Sequence, residues 1–280
     1  MVQTQSASFF PMKTLFLGEI VGKCGLSCII KGLKSIDRDL TIANAEGLAG
    51  GYGLTEDGAK LLFRNKCDVL TGGEKIFYKK DMVNFITTTS RVLRPLNLGG
   101  KEVPGYGLRY MDFNGDKIAV MNLIGQIDMK MYGSSSPFGT CERTLKKIEE
   151  QGVKTIFVVF HAQATCEKQA LFRYLDGKAT AVIGTHTKVL TADACVSQKG
   201  TAYISDNGRC GSFMSVGGLY TEIEIKKEKT GQIIYSKDTF EEPEIQGVLV
   251  ESENGKAISI SIIKQKIELD LEAIQKRQKA

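Results

Sequence analysis

The chain lacks what several classes of protein require. No apolar stretch approaches the roughly 18 residues that span a bilayer; the best, Thr155 to Ala162, has eight. A membrane-spanning helix is therefore not expected. Met1 to Pro11 lack a basic start, and the apolar run behind them, Thr14 to Gly22, is broken by Glu19, so a secretory signal does not fit. The seven cysteines are odd in number and contain no Cys-x-x-Cys pair. Neither a zinc knuckle nor a disulfide framework is suggested, and reduced, mostly structural thiols in a cytoplasmic protein are the expectation. Cys166, five residues after His161, reads the same way, as a buried thiol rather than a nucleophile. Tryptophan is absent and histidine occurs twice. The charge balance, 37 basic against 32 acidic residues for a net +5, is too mild to mark a nucleic-acid binder.

What is present is an ordinary globular composition, 42% hydrophobic and 25% charged, long enough to bury a core. Without a repeat, a Pro- or Ser-rich linker or a composition break, one domain is the better reading. Short apolar runs alternate with amphipathic stretches, the pattern of an α/β fold. Strands are expected at 13–17, 40–43, 68–71, 155–160, 180–183 and 201–204. Helices are expected at about 26–36, after Thr55 as N-cap, at 80–87, 139–151 and 167–175. Two hairpins complete the pattern: 107–113 with 117–123 around Asn114-Gly115, and 246–251 with 257–263. The tail from Lys264 reads as an exposed helix, while the lysines at 226, 227 and 229 and the tail Lys276 to Lys279 read as solvated faces.

In open α/β folds the site lies beyond the carboxyl ends of the strands. Here those ends run into Glu19, Asn44 and Glu46, Glu74, His161, His186 and Asp206. Both histidines of the chain fall at such ends. Three Glu, one Asp and two neutral His on one rim leave about four uncompensated negative charges, so the rim must raise its carboxylate pKa values or hold a cation. Imidazole with carboxylate and no thiolate suits Zn, Fe or Mn. For any single Glu, the competing reading is a helix N-cap. The loop Gly47 to Gly53 has the composition of a phosphate cradle or of a plain tight turn, and it matches neither the P-loop nor the dinucleotide fingerprint.

A series of motifs follows in one order: Leu17-Gly-Glu-Ile-Val-Gly22, Ala43-Asn-Ala-Glu46, Ala49-Gly-Gly-Tyr-Gly53, Arg94-Pro95, His161-Ala-Gln-Ala-Thr165, Tyr174-Leu-Asp-Gly177, Gly184-Thr-His-Thr187, Thr191-Ala-Asp193 and Gly200-Thr-Ala-Tyr203. Together, from about Met12 to Ile263, they resemble the bacterial calcineurin-like metallophosphoesterases that act on 2′,3′-cyclic nucleotides. The resemblance implies a four-layer α/β/β/α sandwich over 12–263, with 1–11 as an extension and 264–280 as a helical tail.

It also implies a two-metal site, from which this chain departs. The bridging Glu matches Glu46, and two His of one metal match His161 and His186, while that metal's Asn falls at Gly73. The Asp, Asn and His of the other metal fall at Glu19, Gly47 and Lys188, and the acid His falls at Glu74. The set implied is Glu46, His161 and His186 on one tightly held divalent ion, Fe or Mn before Zn. Glu74 serves as a fourth ligand or as the acid, and Lys188 pairs with Glu19 where a second ion would sit. Lys188, Gly47 and Gly73 then line the phosphate position. The function implied is hydrolysis of a phosphate ester, a 2′,3′-cyclic nucleotide for instance, with metal-bound water as nucleophile. The partner expected is a small phosphorylated substrate, with neither membrane nor specific nucleic acid, and self-association stays open. The alternative is a relative that binds a phosphate-bearing ligand or a protein without turnover. A two-His, one-carboxylate iron oxygenase ranks behind both.

Overall fold

A computed structural model describes residues 11–100, 102–113, 115–129, 131 and 133–272. Residues 1–10 of the extension, Asn114 of the first hairpin turn and residues 273–280 of the tail lie outside the described residues. In chain order the strands are β1 (Met12–Leu17), β2 (Glu19–Ile20), β3 (Leu40–Asn44), β4 (Val69–Thr71), β5 (Val92–Leu93), β6 (Leu108–Phe113), β7 (Asp116–Ile124), β8 (Thr155–His161), β9 (Ala181–Thr185), β10 (Cys195–Val196), β11 (Ala202–Ile204), β12 (Arg209–Ser212), β13 (Pro243–Glu253) and β14 (Lys256–Lys266). The helices are α1 (Gly22–Gly32), α2 (Glu56–Arg64), α3 (Lys80–Thr88), α4 (Pro137–Glu150), α5 (Thr165–Leu175) and α6 (Thr221–Thr230). No described helix is long and apolar enough to cross a membrane.

Alternation along β1 shows how the layers arise. Successive strand residues leave on opposite faces. Leu15 and Leu17 join a core with Cys24, Cys28 and Ile29 of α1, Leu62 of α2 and Ile86 of α3. Phe16, between them, packs instead with Ile42, Val69, Val120, Phe157 and Ile183. Its ring meets that of Phe157 edge-on, with centroids 5.3 Å apart, at the seam between two sheets. A third core sets Met121, Val158 and Phe160 against Cys141 and Ile148 of α4 and Leu171 and Leu175 of α5. Helices, sheet, sheet and helices make four layers, the fold expected from the motifs.

One sheet runs β2-β12-β13-β1-β3-β4-β5 with β14 paired to β13; the other runs β10-β11-β9-β8-β7-β6. Strands β1, β3, β4 and β5 are parallel, as are β7, β8, β9 and β11. Their carboxyl ends therefore open toward the same rim.

Two local expectations are corrected, and the lysines read as a solvated face stay so. The first helix starts at Gly22 rather than near Leu26, with the Asp238 carboxyl, far along the chain, against its first turn. The segment from Lys264 begins as strand, since β14 continues to Lys266, and Ile267 is buried against the first core. Helix α6, which carries the lysines read as a solvated face, has no buried residue and presents no apolar stripe.

Candidate metal centre

Two strand ends deliver the histidines. Strand β8 finishes on His161, which lies beside Thr185, the last residue of β9. His161 is fully buried. Its Nδ1 sits between Thr185 Oγ1 at 2.9 Å and Asn44 Nδ2 at 3.3 Å, so side chains from both sheets fix the ring. The braced ring turns Nε2 toward Glu74 Oε2 at 2.9 Å and His186 Nδ1 at 3.0 Å. Ligand atoms of Glu74, His161 and His186 all fall within 4.8 Å of one another. The two imidazoles meet edge-to-face with centroids 4.7 Å apart.

Charge is strongly coupled here. Burial opposes a charge on His161, yet the hydrogen bond and charge of Glu74, with Glu46 and Glu19 behind it, raise its pKa. Burial likewise opposes the Glu74 carboxylate, but its hydrogen bond to His161 and the charges of both rings hold its pKa below the usual carboxylate range. For His186, burial and then the neighbouring His161 charge push the pKa down to about 3. Its ring is a neutral lone-pair donor at pH 7. Three converging N and O donors without a thiolate form a set that suits a divalent metal ion.

Beside the triad lies a different arrangement. Glu19 is buried, and neither of its carboxylate oxygens accepts a hydrogen bond. Its ionic partner is Lys188, with Nζ 3.3 Å from Oε1. The Glu19 charge raises the pKa of Lys188 against the effect of burial, which keeps the ammonium charged. Two glycines make room for these groups. A Cβ at Gly47 would stand 2.6 Å from Glu19 Oε1, and one at Gly73 would stand 2.2 Å from His161 Cδ2. The space beside these two glycines is thus filled by the Glu19 carboxylate and the His161 ring. The orphaned Glu19 oxygens and the three converging donors fit a site that holds a cation.

Glu46 is placed otherwise than expected. Its carboxylate accepts the Gly73 N–H at 2.6 Å and also the Lys75 N–H, and so holds the turn that carries Glu74. Burial raises its pKa to about 7. Among the described residues the three donors that converge are therefore Glu74, His161 and His186, with the Glu46 carboxylate turned to those two amides. The Gly73 amide is spent on Glu46 rather than left for a phosphate, and Gly47 contributes space. Asp206 does not join the cluster: it pairs with buried Lys168 at 3.1 Å and accepts the Thr187 N–H at 2.8 Å. The sequence does not single out Thr185 as a ring brace, and it shows Asn44 only as a strand end; a polar residue closing an apolar strand is the available signal for both. Cys166 is exposed rather than buried, as is Cys195, while the other five cysteines are buried.

Several known proteins are similar to this chain in sequence and fold. The 2′,3′-cyclic-nucleotide 2′-phosphodiesterase of Bacillus subtilis is 34% identical over 258 residues, covering 90% of this chain and 96% of the relative. A crystal structure of a novel phosphatase from Mycoplasma pneumoniae matches with a TM-score of 0.85 at 29% identity, covering 95% of this chain and 97% of that one. Another, of a hypothetical protein from Thermus thermophilus, gives 0.85 at 31% identity and covers 92% and 100%. The family profile described as YmdB-like protein matches residues 15–263. On that match and these identities, the chain belongs to the YmdB-like family.

Proposed function

We propose that this phosphoesterase works with one divalent cation, held by Glu74, His161 and His186, and with the Lys188 ammonium as a fixed positive charge beside it. The observation that carries the reading is the convergence of those three ligand atoms within 4.8 Å, next to the Lys188–Glu19 pair. When bound, the cation supplies Lewis acidity, lowering the pKa of water and offsetting phosphoryl charge. Fe or Mn suits the donors best, with Zn next. Lys188 offers a localised charge to phosphoryl oxygens as their negative charge grows. Glu19 anchors that ammonium, and Glu46 keeps Glu74 in place through the backbone of its turn. The substrate proposed is a small phosphate ester, a 2′,3′-cyclic nucleotide first, because that is what the Bacillus subtilis relative is named for. Seven free cysteines accord with a reducing, cytoplasmic setting.

Elemental analysis of protein prepared without chelator tests the reading, beside Glu74→Ala and His161→Ala and with hydrolysis of 2′,3′-cyclic AMP followed in parallel. About one equivalent of metal, absent from both variants together with the activity, is the expected result. Two equivalents would overturn the role given to Lys188. No metal after addition of Mn²⁺ would overturn the metal reading itself.

A further inference from the structure

We propose that Asp206 and Arg209 form a two-sided clamp on the His186–Lys188 loop and are positioning residues for both halves of the site. The proposal rests on the roles given above to His186 and Lys188. These two residues have φ of 103° and 62°, in the left-handed region that non-glycine residues seldom occupy. Such a backbone persists only where its surroundings over-determine it, and here they do so at two points. Asp206 Oδ2 accepts the N–H of Thr187, the residue between the two, at 2.8 Å. On the other side, Arg209 Nη1 donates to the Lys188 carbonyl at 2.8 Å.

Each jaw is itself fixed. Asp206 Oδ1 accepts the Gly208 N–H at 3.0 Å, the Asp206 N–H donates to Thr191 Oγ1 at 3.0 Å, and Lys168 Nζ lies 3.1 Å from Oδ2. Lys168 and Asp206 are both buried, so the pair holds a single geometry rather than sampling several. The Arg209 guanidinium also donates from Nε to the Ser212 carbonyl at 3.2 Å and from Nη2 to the Phe213 carbonyl at 2.7 Å. Neither residue touches the triad. They act on it through three consecutive residues whose side chains serve different ends: the His186 imidazole turns to the ligand cluster and the Lys188 ammonium to Glu19. If the Thr187 N–H loses its acceptor, the loop relaxes toward negative φ and the imidazole leaves the cluster. If the Lys188 carbonyl loses its donor, the ammonium shifts while His186 stays gripped.

The test measures Mn²⁺ affinity by calorimetry and inhibition by inorganic phosphate in the full chain. Asp206→Ala should weaken Mn²⁺ binding about tenfold or more, the range for groups that orient metal ligands. Asp206→Asn, which keeps an oxygen for the Thr187 N–H, should stay within about threefold. Arg209→Lys should keep Mn²⁺ affinity and weaken phosphate inhibition about tenfold, since a single ammonium cannot serve three carbonyls. A merely structural role would lower the melting temperature and move neither constant. Folded D206A with unchanged Mn²⁺ affinity overturns the clamp, and so does R209K with unchanged phosphate inhibition. The second result decides alone if D206A does not fold. Unaltered chain that binds no Mn²⁺ overturns the metal reading instead, leaving the clamp to be judged by phosphate inhibition of R209K.

Discussion

The two halves of the site solve one electrostatic problem by different means. On one side, Glu74, His161 and His186 direct lone pairs at one another, an arrangement that repels itself unless a proton or a cation stands between. On the other, Glu19 faces a cation belonging to the same chain. An ion brings two charges, Lewis acidity and exchange with solvent. An ammonium brings one charge and hydrogen-bond donors, and it cannot dissociate. The first half should respond to chelators and to added metal, whereas the second should respond only to substitution.

Breaking the first half should have the largest effect. His161→Ala removes a ligand together with the ring that Thr185 and Asn44 brace, so a loss on the order of 10³-fold in kcat is expected, with loss of bound metal. Steady-state kinetics and elemental analysis check this, and retained metal would sink the ligand assignment. Lys188→Met should leave metal content unchanged while lowering kcat about a hundredfold. It also strands the buried Glu19 charge, so chemical denaturation should show a loss of about 3–5 kcal/mol. Adding Glu19→Gln should recover most of that stability and none of the activity; recovery of both would show that the ammonium is only structural. Thr185→Val loosens the His161 ring without touching the ligand cluster, and a fall in metal affinity of about tenfold is expected by calorimetry. Last comes conversion of one half into the other. Glu19→Asp with Gly47→Asn and Lys188→His should raise metal per chain toward two with little change in stability. The shorter Asp makes room, since a Cβ at Gly47 would stand 2.6 Å from Glu19 Oε1. No increase in metal would mean that the ammonium is not what keeps a second ion out.

Much of the fold was legible because the signals were local. Strand β8, buried at every position, reads as an unbroken apolar run. Thr55 reads as an N-cap, and its side chain accepts the Gly58 N–H at 3.2 Å. The elements that escaped lacked such signals. Strands β2, β5 and β10 have two residues each, and α6 buries nothing. The start of α1 lies against Asp238 and the tail against the core through Ile267, both contacts between distant parts of the chain. The site divides in the same way. Two histidines at strand ends announce themselves, because a parallel sheet sends its carboxyl ends to one rim. The different settings of Glu46 and Glu74 do not, because the two backbone amides reach Glu46 only after the turn following β4 has formed. Lys168, inside an amphipathic helix, reads as surface charge until Asp206 is seen beneath it.

The missing side chains at Gly47 and Gly73 bear on how this site can change over generations. Asparagine introduced alone at residue 73 collides with the braced His161 ring, and at residue 47 it forces the end of the Glu19 side chain aside. Shortening Glu19 alone withdraws the partner of Lys188, and replacing Lys188 alone strands Glu19. Most single steps toward a site with two ions therefore carry a cost before any second ion is gained. The arrangement therefore behaves as a ratchet: once the lysine, the longer carboxylate and the glycines coexist, selection acting one substitution at a time holds them together as a set.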